Sequence, residues 1–392
     1  MNILVLSQYY PPDLGAVSFR MEAIVKELRA NGHKVYVLAA TPNRYKDYKI
    51  NDENIAKPDE IRIEMKSNSK SIFSRIKGFF EFYIKSIKQK KYYKDKEIDL
   101  VISTTPYVLE GLAGQKIAKY LNAKHLLDVR DLWPDTPIAL GKIKKKGIIA
   151  FALKIVEKKL YKKTDHIIIT SPGYKQHIKS IVKNKPIDII LNGIDEDFEV
   201  DFNEYGTKNN IKKSSNVKTI LYAGNIGIAQ NLTTLIKAAN KLKKDNIRFQ
   251  LIGSGTQLNE IKDMICHYKL ENIDIIPPVK REELFKYYCS ADILYLQLFS
   301  SEYFNKVVPS KIFEYLLIPK PIIYGLDGVS AEILNKYDET YYVVPDDSDD
   351  LVKIIKQIDV SKAISRDVKS LRRKIQVKKY LKIIEEIIEE KE

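Results

Sequence analysis

Ser310, Lys311 and Glu314 lie within Val307-Val308-Pro309-Ser310-Lys311-Ile312-Phe313-Glu314-Tyr315-Leu316, where Pro309 suits a first helical position and Ile312, Tyr315 and Leu316 mark a buried side. The spacing predicts a helix starting near Pro309. Its free N–H groups at Ser310 and Lys311 suit an anion, and the Lys311 charge would stabilise a departing diphosphate. Glu314 shares their face. One helical turn rises about 5.4 Å, comparable to the step from a phosphate to ribose hydroxyls, and a carboxylate accepts two hydroxyl hydrogen bonds. The three side chains together suit one nucleotide. The plainer reading is a surface Lys311–Glu314 pair, worth a few tenths of a kcal/mol.

A second group of charges closes an apolar run at Leu126-Leu127-Asp128-Val129-Arg130-Asp131-Leu132-Trp133-Pro134-Asp135, which holds the only tryptophan. Asp131 can take a proton from an acceptor hydroxyl, and Arg130 can pair with it or bind phosphate. A structural ion pair capping a helix is the competing reading. Near the N-terminus, Gln8-Tyr9-Tyr10-Pro11-Pro12-Asp13-Leu14-Gly15-Ala16 leads into Arg20, with Gly15 allowing close backbone approach to a ligand. Two further glycine loops, Gly224-Asn225 to Asn231 and Gly253-Ser254-Gly255, each open a helix. A dinucleotide fingerprint would need a third glycine where Leu258 stands, which disfavours a dehydrogenase. The five histidines have no metal-ligand spacing. Asp347-Ser348-Asp349 precedes a helical run and fits N-capping better than metal binding. No metal or other cofactor is expected.

The elements that must position these residues alternate in βαβ rhythm. Strands are expected at Ile3–Leu6, Lys34–Ala39, Leu100–Thr104, His125–Val129, His166–Thr170 and Ile187–Leu191, with a helix near Ser18–Ala30. A second series runs through Thr219–Ala223, Phe249–Ile252, Ile273–Ile276, Ile293–Leu296 and Pro321–Tyr324. The fold class is α/β, with two Rossmann-like, doubly wound parallel-sheet domains facing across a cleft. The expected division is a first domain over 1–196, a polar linker over 197–217, a nucleotide-binding domain over 218–364, and a helical segment over 365–392 that returns to the first domain.

A chain of 392 residues, 44% hydrophobic and 30% charged, is globular and long enough for two cores. No run is long enough to span a membrane, the opening residues lack signal-peptide features, and the two cysteines have no redox spacing, so the cytoplasm is expected. The net charge of +15 asks for an anionic partner. Between Ile72 and Lys96 the apolar residues Ile72, Phe73, Ile76, Phe79, Phe80, Tyr83, Ile84 and Ile87 follow helical spacing among Arg75, Lys77, Lys85, Lys88, Lys90 and Lys91. Such a helix lies on an anionic membrane surface, on its cytoplasmic face, or packs on the core.

Taken together, ILVLSQYYPPDLGAVSFR, LRANGHKVYVLAA, DVRDLWPD, LNGID, LYAGN, LIGSG and VPSKIFEYL resemble glycosyltransferase family 4 over nearly the whole chain. The resemblance implies the GT-B fold and transfer with retention from a nucleotide diphosphate sugar, with UDP as the expected nucleotide. It points to a subgroup that transfers amino or deoxy sugars to a glycan or polyprenyl-linked acceptor in surface-polysaccharide assembly. It carries Gly15 over as the loop glycine, Ser310 and Lys311 as diphosphate ligands, Glu314 as the ribose ligand and Val279 as the backbone contact to the base. The sequence departs from the family where a first glutamate is usual and Lys306 stands. Asn225 and Asn231 occupy the places of a usual Arg and Lys, and Arg130-Asp131 that of a histidine. Phosphate neutralisation then falls to Lys311, Lys306 and Arg20. In the implied mechanism a leaving phosphate oxygen takes the acceptor proton, with no carboxylate pair of the hydrolase kind. The rivals are a nucleotide-sugar epimerase or hydrolase of the same fold and a basic nucleic-acid-binding protein, for which no binding module is present.

Overall fold

The computed structural model describes residues 1–13, 15–42, 59–66, 72–209 and 217–389. Leu14, residues 210–216 of the expected linker, residues 390–392 and the side chains of Ile72, Phe73 and Arg75 lie outside the described residues. The chain divides into two compact units, Met1–Asn192 with Arg373–Glu392, and Gly193–Arg372.

The first unit holds β1 (Asn2–Ser7), α1 (Ala16–Ala30), β2 (Lys34–Ala40), β3 (Glu60–Ile63), α2 (Ile72–Lys88), β4 (Leu100–Thr105), α3 (Val108–Leu121), β5 (Lys124–Val129), α4 (Asp135–Ala139), α5 (Ile148–Lys163), β6 (His166–Ile169), α6 (Tyr174–Ile181) and β7 (Ile187–Ile189). All seven strands are parallel, in the order β3-β2-β1-β4-β5-β6-β7. Strands covered on both faces must be apolar throughout, which is why Ile3 to Leu6 and Leu100 to Ile102 read as unbroken runs.

The second unit holds α7 (Glu196–Asn209), β8 (Lys218–Ala223), α8 (Thr233–Lys241), β9 (Ile247–Ile252), α9 (Leu258–Tyr268), β10 (Ile273–Ile276), α10 (Arg281–Ser290), β11 (Ile293–Gln297), α11 (Lys311–Leu317), β12 (Ile322–Gly325), α12 (Val329–Leu334), β13 (Thr340–Tyr342) and α13 (Ser348–Gln357). Its parallel order is β10-β9-β8-β11-β12-β13. The last helix, α14 (Arg373–Glu389), belongs to the first unit, where Val377, Tyr380 and Ile384 join the core made by β1, β2 and α1. The sequence pattern did not reveal the short strands β3 and β13. Each sheet reverses its strand order once, between β1 and β4 and between β8 and β11, so ligands are expected beyond the carboxyl ends of those strands.

Most of the stretch read as a linker, 197–217, is α7. Asp195 caps it by accepting N–H bonds from Asp197 and Phe198. Phe198 and Phe202 then pack edge-on against Phe285 of α10. The far boundary lies at Arg372 rather than 364, because Ile194 donates to the Leu371 carbonyl and Arg372 bonds Glu199 through Nε and Nη2. Local capping and two aromatics a helical turn apart thus outweigh a polar composition.

Within the first unit α3 packs between α2 and α5, and Phe82 of α2 enters the core with Ala113 and Ile117 of α3. The basic amphipathic helix therefore does pack on the core, while Ile76, Phe80 and Ile84 stay exposed. No described helix is long and apolar enough to cross a membrane.

Inside this unit His125 is buried between the hydroxyls of Ser103, 2.8 Å from Nε2, and Thr164, 3.0 Å from Nδ1. Burial pushes its pKa down to about 3, against roughly 6.5 in an unfolded chain. Between those values the unfolded chain binds a proton that the folded chain refuses. The His125 contribution is therefore complete above the unfolded value and falls by about 1.4 kcal/mol per pH unit as the pH drops. Urea denaturation from neutral to mildly acidic pH should show His125→Gln losing stability less steeply than the parent. Parallel curves would rule this out.

Candidate functional site

In the second unit the sequence-derived residues converge on the start of α11. Ser310 is the residue before the helix and makes no side-chain cap bond, so the first helical residue is Lys311, with Ile312 and Phe313 donating back to Pro309 and Ser310. Lys311 Nζ lies 2.6 Å from Glu314 Oε2, and the Tyr288 hydroxyl of α10 donates to the same oxygen at 3.3 Å. Both charged side chains are half-buried. Burial alone would favour the neutral amine of Lys311, but Glu314, Tyr315 and Tyr222 hold its pKa above the ordinary value. Among the described residues Glu314 Oε1 accepts no hydrogen bond. α11 is also tied to the end of β8, because the Ala223 N–H donates to the Tyr315 hydroxyl at 3.0 Å.

The two glycine loops interlock. Ile226 donates to the Ser254 carbonyl and Gln257 donates to that of Ile226. Gly253 has φ +148, and a Cβ there would sit 1.8 Å from the Gly224 carbonyl oxygen. Its close approach is to the neighbouring loop, which alone requires a glycine. Asn225 is turned into its own loop: Nδ2 donates to Gln230 at 2.9 Å, and the carbonyl accepts from Tyr222 at 2.5 Å. Val279 is half-buried in the loop between β10 and α10. Lys306 is paired with Glu302 at 3.1 Å.

The sequence reading missed a polar knot beside these loops. Asp346 Oδ1 accepts from Asn231 at 2.6 Å and from Gln297 at 3.1 Å, while Oδ2 accepts from the Ser300 N–H at 3.2 Å. Gln297 is buried at the end of β11, and a polar residue closing the run Ile293-Leu294-Tyr295-Leu296 was the available signal. Asp347 accepts the N–H groups of Asp349 and Asp350 and so caps α13, which accounts for the acidic triplet.

In the first unit, Gly15 stands at the head of α1 with φ 138, a backbone angle that favours glycine. Arg20 requires a correction. It is not available to a diphosphate, because it is buried in the core. Its Nε and Nη2 bond Asp128 at 3.1 and 2.9 Å, Nη1 bonds the Leu191 carbonyl at 2.8 Å, and Tyr380 of α14 donates to Asp128 at 2.7 Å. Burial alone would raise the Asp128 pKa, but Arg20, Arg130 and Tyr380 hold the carboxyl below its ordinary value.

Arg130 is buried beside Asp128, Arg20 and Asp131, and burial lowers its pKa to about 10 against the attraction of Asp128. Its Nη1 has no hydrogen-bond partner. Asp131 is half-buried at the start of the loop after β5. Nearby, buried Glu110 of α3 accepts the Gln8 N–H at 2.9 Å while its other oxygen is unpartnered. Burial pushes its pKa well up, opposed by that bond and by Arg130. An aromatic cluster adjoins these groups: Tyr107 stacks on Phe79 at 3.4 Å, bonds Tyr9 hydroxyl to hydroxyl at 2.9 Å, and meets Trp133 edge-on. Glu110, Tyr9, Phe79 and Tyr107 were not singled out as site residues from sequence, because three separate segments bring them together.

Two parallel-sheet α/β units, each with its polar groups gathered beyond the carboxyl ends of the strands, define the GT-B class. Residues 17–198 match the family described as Glycosyltransferase Family 4, and residues 206–372 match the one described as Glycosyl transferases group 1. The chain belongs to glycosyltransferase family 4 and is an enzyme that transfers sugars. It is 24% identical to the colanic acid biosynthesis glycosyl transferase WcaI of Escherichia coli (strain K12), over 71% of this chain and 72% of that one. Among solved structures it is similar to a sucrose-phosphate synthase from Thermosynechococcus elongatus (TM-score 0.73, 17% identity, 97% and 94% of the two chains). It is also similar to HepE of Anabaena in complex with UDP-glucose (TM-score 0.65, 13% identity, 99% and 98%). These likenesses do not favour the epimerase, hydrolase or nucleic-acid-binding readings.

The Arg20–Asp128–Tyr380 cluster gives a stability prediction. Asp128→Asn leaves a buried guanidinium unpaired and should cost about 3–5 kcal/mol, whereas Tyr380→Phe removes one hydrogen bond to a charged group, about 1.5–3 kcal/mol. Chemical denaturation checks the order, and equal losses would contradict it.

Proposed function

We propose that the enzyme transfers a sugar from a UDP-sugar to a glycan or lipid-linked acceptor in surface-polysaccharide synthesis, with retention at the anomeric carbon and without a metal. The observation that carries this reading is the half-buried Lys311–Glu314–Tyr288 constellation at the start of α11. Lys311 supplies positive charge to the departing diphosphate, where charge develops in the transition state. Glu314 Oε1 receives the ribose hydroxyls, with Ser310 and Lys306 on the phosphate side. WcaI supports the polysaccharide setting by its name, and the UDP-glucose bound to HepE supports the donor.

The acceptor side lies in the first unit. Tyr9, Phe79, Tyr107 and Trp133 offer ring faces, with polar groups on the tyrosines and the tryptophan, which suit a sugar, beside Arg130 and Asp131. A leaving phosphate oxygen takes the acceptor proton, and Asp131 and Arg130 orient the hydroxyl.

Steady-state kinetics with a UDP-sugar test the division of labour. Glu314→Ala should raise KM for the donor about a hundredfold through loss of two hydrogen bonds to a carboxylate. Lys311→Met should lower kcat by about 10²–10³. Both should melt within a few degrees of the parent. Unchanged kcat/KM in either variant would remove α11 from the donor site.

A further inference from the structure

The first unit carries a surface that sugar transfer leaves unexplained. At the start of α5, Ile148 is 88% exposed, Ile149 64% and Phe151 68%, and Ile155 continues the stripe one turn on. Large aliphatic and aromatic side chains grouped this way mark an interaction site. Only Ala150, Glu157, Leu160 and Tyr161 of α5 are buried, so the first turn touches the core through Ala150 alone and presents Ile148, Ile149 and Phe151 outward.

The charge around this stripe is of one sign. Residues 142–163 hold nine lysines and a single acid, Glu157. That acid is buried and bonds His177 at 3.0 Å. The neighbouring helices of the layer behave alike. On α2, Ile76, Phe80 and Ile84 recur every four residues on the exposed side, and on α3 the exposed residues are Lys116, Lys119 and Tyr120. The remaining acids of this three-helix layer are withdrawn as well, Glu110 by burial and Glu81 by its pairing with Lys85 at 2.8 Å.

We propose that the outward face of α5 and α2, led by Ile148, Ile149 and Phe151, docks on an anionic lipid bilayer. Exposed apolar side chains on a helix enter the boundary between headgroups and acyl chains, and the lysines beside them meet anionic headgroups. A second copy of the chain does not fit, because it would set lysine run against lysine run. A nucleic acid would use the lysines and leave the apolar stripe in water. The inference stands apart from the donor reading, since docking is measured without nucleotide or acceptor.

The test is flotation of the full chain with phosphatidylcholine vesicles, with and without phosphatidylglycerol. The chain should float with the anionic vesicles and release as salt is raised. Ile148→Ser/Ile149→Ser/Phe151→Ser should weaken partitioning at least tenfold, with an unchanged melting point because the side chains are already in water. Lys144→Gln/Lys145→Gln/Lys146→Gln should also weaken it roughly tenfold or more, since each lysine near an anionic surface contributes about fivefold. Partitioning of the serine variant equal to the parent, or equal binding to neutral vesicles, would overturn the proposal. So would a dimer, seen by sedimentation, that the serine variant abolishes.

Discussion

A buried ion pair holds the working end of the first unit together. Arg20 and Asp128 come from α1 and from near the end of β5, and neither could be fully buried alone without a cost of several kcal/mol. The pair is tolerated because every strong bonding direction is met: Arg20 also reaches the Leu191 carbonyl beyond β7, and Tyr380 donates to Asp128 from α14. One cluster thus ties together the helix after the Gly15 loop, the strand that delivers Arg130 and Asp131, and the final helix. Tyr380 joins this cluster as Val377, Tyr380 and Ile384 pack α14 into the core of the first unit. The geometry of the proposed acceptor side rests on charge satisfied inside the core, with Arg130 left as the guanidinium whose Nη1 still lacks a hydrogen-bond partner.

The second unit solves a different problem. Its loops after β8 and β9 touch backbone to backbone, and Asp346 gathers Asn231, Gln297 and the Ser300 N–H into one knot. In this chain Asn231 helps build the rim instead of carrying charge. A rim in which asparagines stand in place of cations leaves the proposed charge stabilisation to Lys311, whose pKa Glu314, Tyr315 and Tyr222 hold above its ordinary value despite burial. The same carboxylate that keeps the lysine charged keeps Oε1 for another donor, so Glu314 can pair and bind at once. The plainer reading of a Lys–Glu helix pair and the nucleotide reading are therefore not exclusive.

What could be read from sequence follows the range of the interaction. Strands such as β1 and β11 were legible because burial on both faces leaves an unbroken apolar run, Ile3 to Leu6 and Ile293 to Leu296. The short edge strands β3 and β13, Glu60–Ile63 and Thr340–Tyr342, lack such a run. The helix at Lys311 was legible within two residues because proline and the apolar side lie within one turn of each other. Arg20 was misread because its partners stand 108 and 360 positions away, and no local pattern reports a contact of that kind. The residues after Asp195 were misread for the opposite reason. The cap and the Phe198–Phe202 spacing were local and readable, but the polar composition was given more weight. Gly253 shows a third case, in which the residue type was noticed and its neighbour was not: the close approach is to Gly224, within the protein.

The surplus of basic residues can now be placed. The proposed nucleotide site, with Lys311 and Lys306 as its cations, does not account for a net charge of +15. Nor does the core, where Arg20 is offset by Asp128. Much of the excess sits on the outer helices of the first unit, where Glu81 is paired with Lys85, Glu110 and Glu157 are buried, and lysines such as Lys116, Lys119, Lys158 and Lys159 stay exposed. Lysine suits that position because its flexible stem can cover apolar surface while the ammonium stays hydrated. Random enrichment in lysine would leave acids scattered among the exposed residues of the same helices. Their withdrawal on α2, α3 and α5 alike, beside exposed Ile148 and Phe151, suits the anionic and partly apolar partner proposed for this surface.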